Sequence, residues 1–93
     1  NFAAPVTFNL DQNYPNPFNP STKIRFSVQN DEHVSLQVYT IDGEKAAELF
    51  NGPASAGVNY ELDFNGDNLS SGVYYYKLVS ASGTQVRKML LMK

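Results

Sequence analysis

The sequence predicts an all-β fold, an antiparallel sandwich of seven short strands, on three observations. Apolar and polar residues alternate in most runs that could be structured, the period-2 signature of strands with one face buried. Turn-forming clusters separate those runs at short intervals: Asp42-Gly43, Asn51-Gly52-Pro53, Asn65-Gly66-Asp67, Ser71-Gly72 and Ser82-Gly83. No window sustains a helical period. Ninety-three residues hold one core and no second, and strands at this spacing fit a sandwich of immunoglobulin-like size. The Cys and Trp that mark antibody domains are absent, so only the architecture is expected.

Each element follows from its residues. Residues 1–7 read as linker and the start of the first strand, Val6–Leu10, and residues 8–93 as the domain. Asn13–Pro20 reads Asn-Tyr-Pro-Asn-Pro-Phe-Asn-Pro. Pro15, Pro17 and Pro20 remove three amide donors and fix φ near about −65°, and each pushes the residue before it to extended geometry. This segment is a rigid connector and cannot be a central strand; Tyr14 and Phe18, its only bulky apolar groups, are expected to pin it to the sandwich. Thr22–Val28 sets Ile24, Phe26 and Val28 against Lys23, Arg25 and Ser27. Val34–Ile41 sets Val34, Leu36 and Val38 against Ser35 and Gln37. Asp42-Gly43 predicts a two-residue type I′ hairpin, which needs positive φ at both positions. Glu44–Phe50 has better helix than strand propensity. Seven residues are short for a lone helix, however, and the preceding turn favours a paired strand. Val58–Phe64 alternates Val58, Tyr60, Leu62 and Phe64 with Asn59, Glu61 and Asp63, and Gly72–Val79 puts Tyr74, Tyr76 and Leu78 in one row. Thr84–Met92 lacks clean alternation, as a buried or bulged strand would.

Charge and composition exclude several functions. Seven basic against nine acidic side chains give a net charge of −2, without the basic stripe of a nucleic-acid binder. Cys is absent, which excludes disulfides and thiolate metal sites. His33, the only histidine, lies in the polar run Gln29–His33, expected to be an exposed loop. No Ser-His arrangement, paired carboxylates or cofactor motif is indicated, so neither enzyme activity nor a cofactor is expected. Asp63–Asn68 begins like a calcium loop but carries Asn68 where Gly is needed and Tyr74 where Glu is needed, so a polar turn is expected. No run approaches the roughly 18 apolar residues of a membrane span. The chain begins with Asn, as a piece cut from a longer protein would. Lys77, Arg87, Lys88 and Lys93 form either a small basic strip or a solvated sheet face. The last run, Lys88-Met89-Leu90-Leu91-Met92-Lys93, closes the core. At a sheet edge it would also offer unpaired amides and carbonyls that a partner strand could extend.

Four blocks carry a family resemblance. Tyr14-Pro15-Asn16-Pro17-Phe18-Asn19-Pro20-Ser21-Thr22-Lys23-Ile24 resembles the opening motif of type A C-terminal sorting domains of the type IX secretion system. Val34–Gly43 is similar to that family's hairpin ending in a Gly turn, Leu69–Leu78 to its Leu-x-x-Gly-Val-Tyr strand, and Lys88–Lys93 to its lysine-bounded terminal strand. A related immunoglobulin-like module occurs in flagellar hook-capping proteins. The resemblance implies a targeting module carried by an upstream cargo domain. Its partners would be outer-membrane secretion machinery and a cell-surface processing peptidase, and its destination, by way of the periplasm, the cell surface or the medium. It points to Lys88, Met89, Leu90, Leu91, Met92 and Lys93 as the recognised strand. Gly72 and Tyr74 would hold the neighbouring strand, Gly43 the hairpin, and Pro15, Pro17 and Pro20 the connector. Two alternatives stand beside it: a carbohydrate-binding or adhesion accessory domain using Tyr75, and a structural spacer.

Overall fold

The computed structural model describes residues 8–93. They form β1 (Asn9–Leu10), β2 (Ser21–Ser27), β3 (Glu32–Thr40), β4 (Lys45–Ala54), β5 (Tyr60–Asn65), β6 (Gly72–Ser80) and β7 (Gly83–Leu91). Two antiparallel sheets result, ordered β1-β2-β5 and β4-β3-β6-β7. The alternation seen in the sequence is the alternation seen in space. Ile24 and Phe26 of β2 face Val34, Leu36, Val38, Tyr76 and Leu78 of the larger sheet, all buried. At one end of this core Phe26 stacks on Tyr60 at 4.9 Å between centroids, and Phe50 meets both rings edge-on. Tyr74 donates its hydroxyl to the carbonyl of Ser70 at 2.6 Å. A tyrosine at the start of this strand, bonded to backbone just upstream, is the tyrosine corner of immunoglobulin-like sandwiches.

The structure corrects several boundaries. Val6 and Thr7 of the expected first strand lie outside the described residues, and only Asn9–Leu10 is strand there. Glu44–Phe50 does take strand form, but β4 continues through Asn51-Gly52-Pro53, where a turn was expected. As an edge strand it tolerates a proline, and its two register shifts are the bulges that discourage edge-to-edge association. The β3–β4 hairpin is a three-residue loop, Ile41-Asp42-Gly43. The amide of Gly43 bonds Thr40 O at 2.9 Å, and that of Thr40 bonds Glu44 O at 2.8 Å. Only Gly43 takes positive φ, +91°. The longer loop thus spares Asp42 the left-handed conformation that a type I′ turn demands. His33 sits within β3, exposed, with Nε2 2.7 Å from Asn51 Oδ1, rather than in a loop.

The missing alternation of β7 has a cause. Its inward row is Gln85, Arg87, Met89 and Leu91, opposite Leu78, Tyr76, Tyr74 and Gly72. The first two lie over the seam beside β1 and reach its open backbone. Leu10 N donates to Gln85 Oε1 at 2.8 Å, Gln85 Nε2 donates to Phe8 O at 2.9 Å, and Arg87 Nε donates to Leu10 O at 2.9 Å. Among the described residues, two polar side chains therefore take the place of a strand on that side of β1.

Candidate recognition site at the terminal strand

The proline-rich connector is held by polar groups that its own composition makes necessary. Prolines supply carbonyls but no amides, so donors must come from the residues around them. Asn13, buried, donates through Nδ2 to Thr22 Oγ1 at 3.0 Å and to Pro15 O at 3.2 Å, and the Thr22 hydroxyl donates to Pro15 O at 2.9 Å. Gln12 Nε2 donates to Asn13 Oδ1 at 2.7 Å. Asn13 N donates to Tyr76 Oη at 2.7 Å, and that hydroxyl donates to Asp11 O at 2.6 Å. Burial pushes the Tyr76 phenol up to about 12, against the smaller opposing effect of the Asn13 amide. Pro20 O accepts from Gly66 N at 2.8 Å.

Phe18 pins the segment as expected; Tyr14 does not. The Phe18 ring is 1% exposed and meets Phe64 edge-on at 6.0 Å. Tyr14 is 80% exposed. Its backbone does the fastening instead, exchanging two bonds of 3.0 Å with Lys23, which leaves the ring over the outer face of the smaller sheet.

This connector closes the edge of β7. Phe18 forms a parallel bridge to Leu91, with Phe18 N donating to Leu90 O and Met92 N to Phe18 O, both at 2.9 Å. Leu90 N donates to Asn16 Oδ1 at 3.0 Å, and Gln12 Nε2 donates to Lys88 O at 2.7 Å. The expectation of an open edge over Leu90–Met92 is therefore corrected: the connector already occupies the place of an added strand.

The run Lys88–Lys93 divides by side chain. Met89 and Leu91 are buried in the core; Lys88, Met92 and Lys93 are exposed and Leu90 is half-buried. Leu91 packs onto Gly66, where an added Cβ would lie 2.9 Å from Leu91 Cδ2 and 3.5 Å from Phe18 Cε2. Lys93 N donates to Ser71 Oγ at 3.0 Å, and its ammonium reaches Asp67 O. In the same loop Asn65 Oδ1 accepts from Asp67 N at 2.7 Å, the self-capping expected of a polar turn. Gly72 pairs with Leu91 at φ +151°, a conformation that an L side chain strains to adopt, although a Cβ there would meet nothing within 4 Å.

The sequence-identified residues thus fall into two groups. Tyr14–Pro20 and Lys88–Lys93 meet along one edge, with Gly72 and Tyr74 on the adjoining strand. Gly43 stands apart in its hairpin. Lys77, Arg87, Lys88 and Lys93 do not make a strip. Lys77 lies 5.1 Å from the Tyr39 ring centroid, Arg87 points inward to β1, and Lys93 turns to Asp67. Gln12, Asn13 and Thr22 were not anticipated; donor-bearing residues flanking a proline run were the available signal. Among the described residues no group of acidic or histidine side chains could hold a metal ion. No curated protein and no solved structure matches the chain. The family model described as the secretion system C-terminal sorting domain matches residues 12–92, which takes in both the connector and nearly all of the terminal run.

Proposed function

Since the chain belongs to the secretion system C-terminal sorting domains, we propose that its machinery reads the folded ribbon made by β7 and the connector rather than a bare terminal peptide. Membership makes the domain a sorting signal of type IX secretion, which sends its cargo through the outer membrane to the cell surface or beyond. The upstream cargo and the secretion machinery are its partners. A cell-surface peptidase that removes the domain is part of the proposal. The domain itself takes no catalytic part.

One observation carries the reading of the ribbon. With Met89 and Leu91 committed to the core, the outward groups are Lys88, Leu90, Met92 and Lys93, beside Asn16 and the backbone of Phe18. A receptor matching them needs an apolar strip for Leu90 and Met92, with acidic groups toward both lysines. Deleting Met89–Lys93 would remove core residues as well as the signal, so surface changes test the idea better. Full-length cargo carrying Lys88→Glu and Met92→Ser should keep its folding stability within about 0.5 kcal/mol, yet accumulate in the periplasm. Normal export of that variant would refute the proposed face.

A further inference from the structure

The outer face of the smaller sheet carries a feature that lies outside the recognition face of the terminal ribbon proposed above. Among the described residues, the Tyr14 ring, 80% exposed, is the large apolar group that protrudes from it. It is held in place from below, because its backbone is bonded on both sides to Lys23. Beside it lies a hollow of about 310 Å³ walled by Pro15, Thr22, Lys23 and Asp63, and a second of about 380 Å³ lies by Asn9, Asp11, Arg25 and Asn59. A smaller one of about 60 Å³ shares Tyr14 and Lys23 with the first and Asp11 and Arg25 with the second. The three follow β2 from Lys23 toward Ser27, about 13 Å at the rise of a strand, enough for a short oligosaccharide.

We propose that this face binds a neutral saccharide chain, with Tyr14 as its stacking platform. Three properties favour that ligand. First, the hollows combine the Tyr14 ring and Pro15 with donors and acceptors of several kinds, the amides of Asn9, Gln12 and Asn59, the carboxylates of Asp11 and Asp63, the Lys23 ammonium and the Arg25 guanidinium, which can bond hydroxyl groups. Two of them are paired along the face: Lys23 Nζ lies 2.6 Å from Asp63 Oδ1, and Arg25 Nε lies 2.7 Å from Glu61 Oε2. Such exposed ion pairs add little to folding, but they orient donors and acceptors and leave other atoms of each group for a ligand. Second, Asp11, Glu61 and Asp63 against Lys23 and Arg25 leave the face within one charge of neutral, which disfavours a polyanion. Third, Lys, Glu, Asp and Ser populate the surface around one aromatic ring, whereas the centres of protein interfaces are depleted in those residues. The apolar face of a sugar ring lies on Tyr14, and its rim of hydroxyls meets the polar row.

The test uses the 93-residue chain with cellohexaose, xylohexaose, laminarihexaose and mannohexaose, and polygalacturonate as the anionic control. Nuclear magnetic resonance titration at millimolar sugar should shift the Tyr14 ring and the Lys23 and Arg25 signals for at least one neutral ligand. Tyr14→Ala should weaken that binding by about tenfold or more, Tyr14→Phe should retain it, and Tyr75→Ala, on the other sheet, should leave it unchanged. Because the ring is solvent-exposed, the thermal midpoint of Tyr14→Ala should match that of the parent, which separates lost binding from lost fold. Silence of Tyr14 toward every neutral sugar, a response to polygalacturonate alone, or undiminished binding by Tyr14→Ala would each overturn the proposal. So would a Tyr14→Ala cargo that fails to be exported while the parent binds no sugar, a result that would identify a protein contact. Failure here leaves the terminal ribbon untouched, since Lys88→Glu with Met92→Ser tests that face separately.

Discussion

Phe18→Ala is the sharpest probe of how the connector and the terminal strand depend on each other. The ring is 1% exposed and lies between Phe64 and Leu91. Both neighbours are anchored, Phe64 by pairing with Thr22 and Leu91 by pairing with Gly72, so the site cannot collapse to fill the void. Truncating such a phenylalanine costs about 3–5 kcal/mol, and the poor scope for relaxation favours the upper part of that range. At about 0.05–0.15 kcal/mol per residue, the whole chain has roughly 5–14 kcal/mol to lose. Urea unfolding should therefore show a midpoint reduced by about a third or more at unchanged slope. Hydrogen exchange adds a local readout. The amides of Met92 and Leu90, bonded to Phe18 O and Asn16 Oδ1, should lose protection beyond the global change, whereas the amide of Leu36 in the central strand β3 should follow it. A loss below about 1 kcal/mol, or uniform exchange at all three amides, would show that the connector merely lies on the surface.

Other perturbations have definite signs. Gly66→Ala forces a Cβ to 2.9 Å from Leu91 Cδ2 and should cost about 1–3 kcal/mol by overpacking; calorimetry of the double variant with Leu91→Ala should show coupling between the two sites. Gly72→Ala should cost about 1–3 kcal/mol through its backbone alone, with no such coupling to Leu91, because its Cβ would enter open space. Tyr76→Phe leaves the buried Asn13 amide without its acceptor and should cost about 1–3 kcal/mol in denaturant unfolding. The same phenol predicts a pH effect. Its folded value, pushed up to about 12, exceeds the ordinary 10.0. The unfolded chain therefore loses this proton first, and stability present below pH 10 falls as pH rises toward 12. Tyr76→Phe should flatten that slope in unfolding curves recorded across the interval, and an unchanged slope would remove Tyr76 as its source.

Much of the fold was legible because burial on one face of a strand writes itself into alternate residues. Ile24, Phe26 and Val28, then Val34, Leu36 and Val38, stood out for that reason, and all six are buried. Legibility failed where another physical demand overrode the pattern. In β7, Gln85 and Arg87 occupy inward positions because they serve the backbone of β1, a need visible only once the sheets face each other. In β4, Asn51-Gly52-Pro53 is a turn signal by local preference, but an edge strand lacks the second partner that would forbid it. Tyr14 misled because bulk and apolarity suggested an anchor, while the bonds that hold it belong to its backbone. The terminal block was recognisable by residue type alone. That the connector already seals its edge depends on Phe18 and Leu91, 73 positions apart, meeting in space, and no local pattern records such a contact.

That long-range meeting ties the connector to β7 as one unit. Met89 and Leu91 supply buried core volume, and the backbone of Phe18 takes its partners from Leu90 and Met92. A polypeptide broken off before Leu91 would lack both the filling and the seam, leaving its proline segment adrift and its sheets apart. Order in the connector and order in β7 are therefore gained or lost together, and a change that frees either one uncovers the edge of the other.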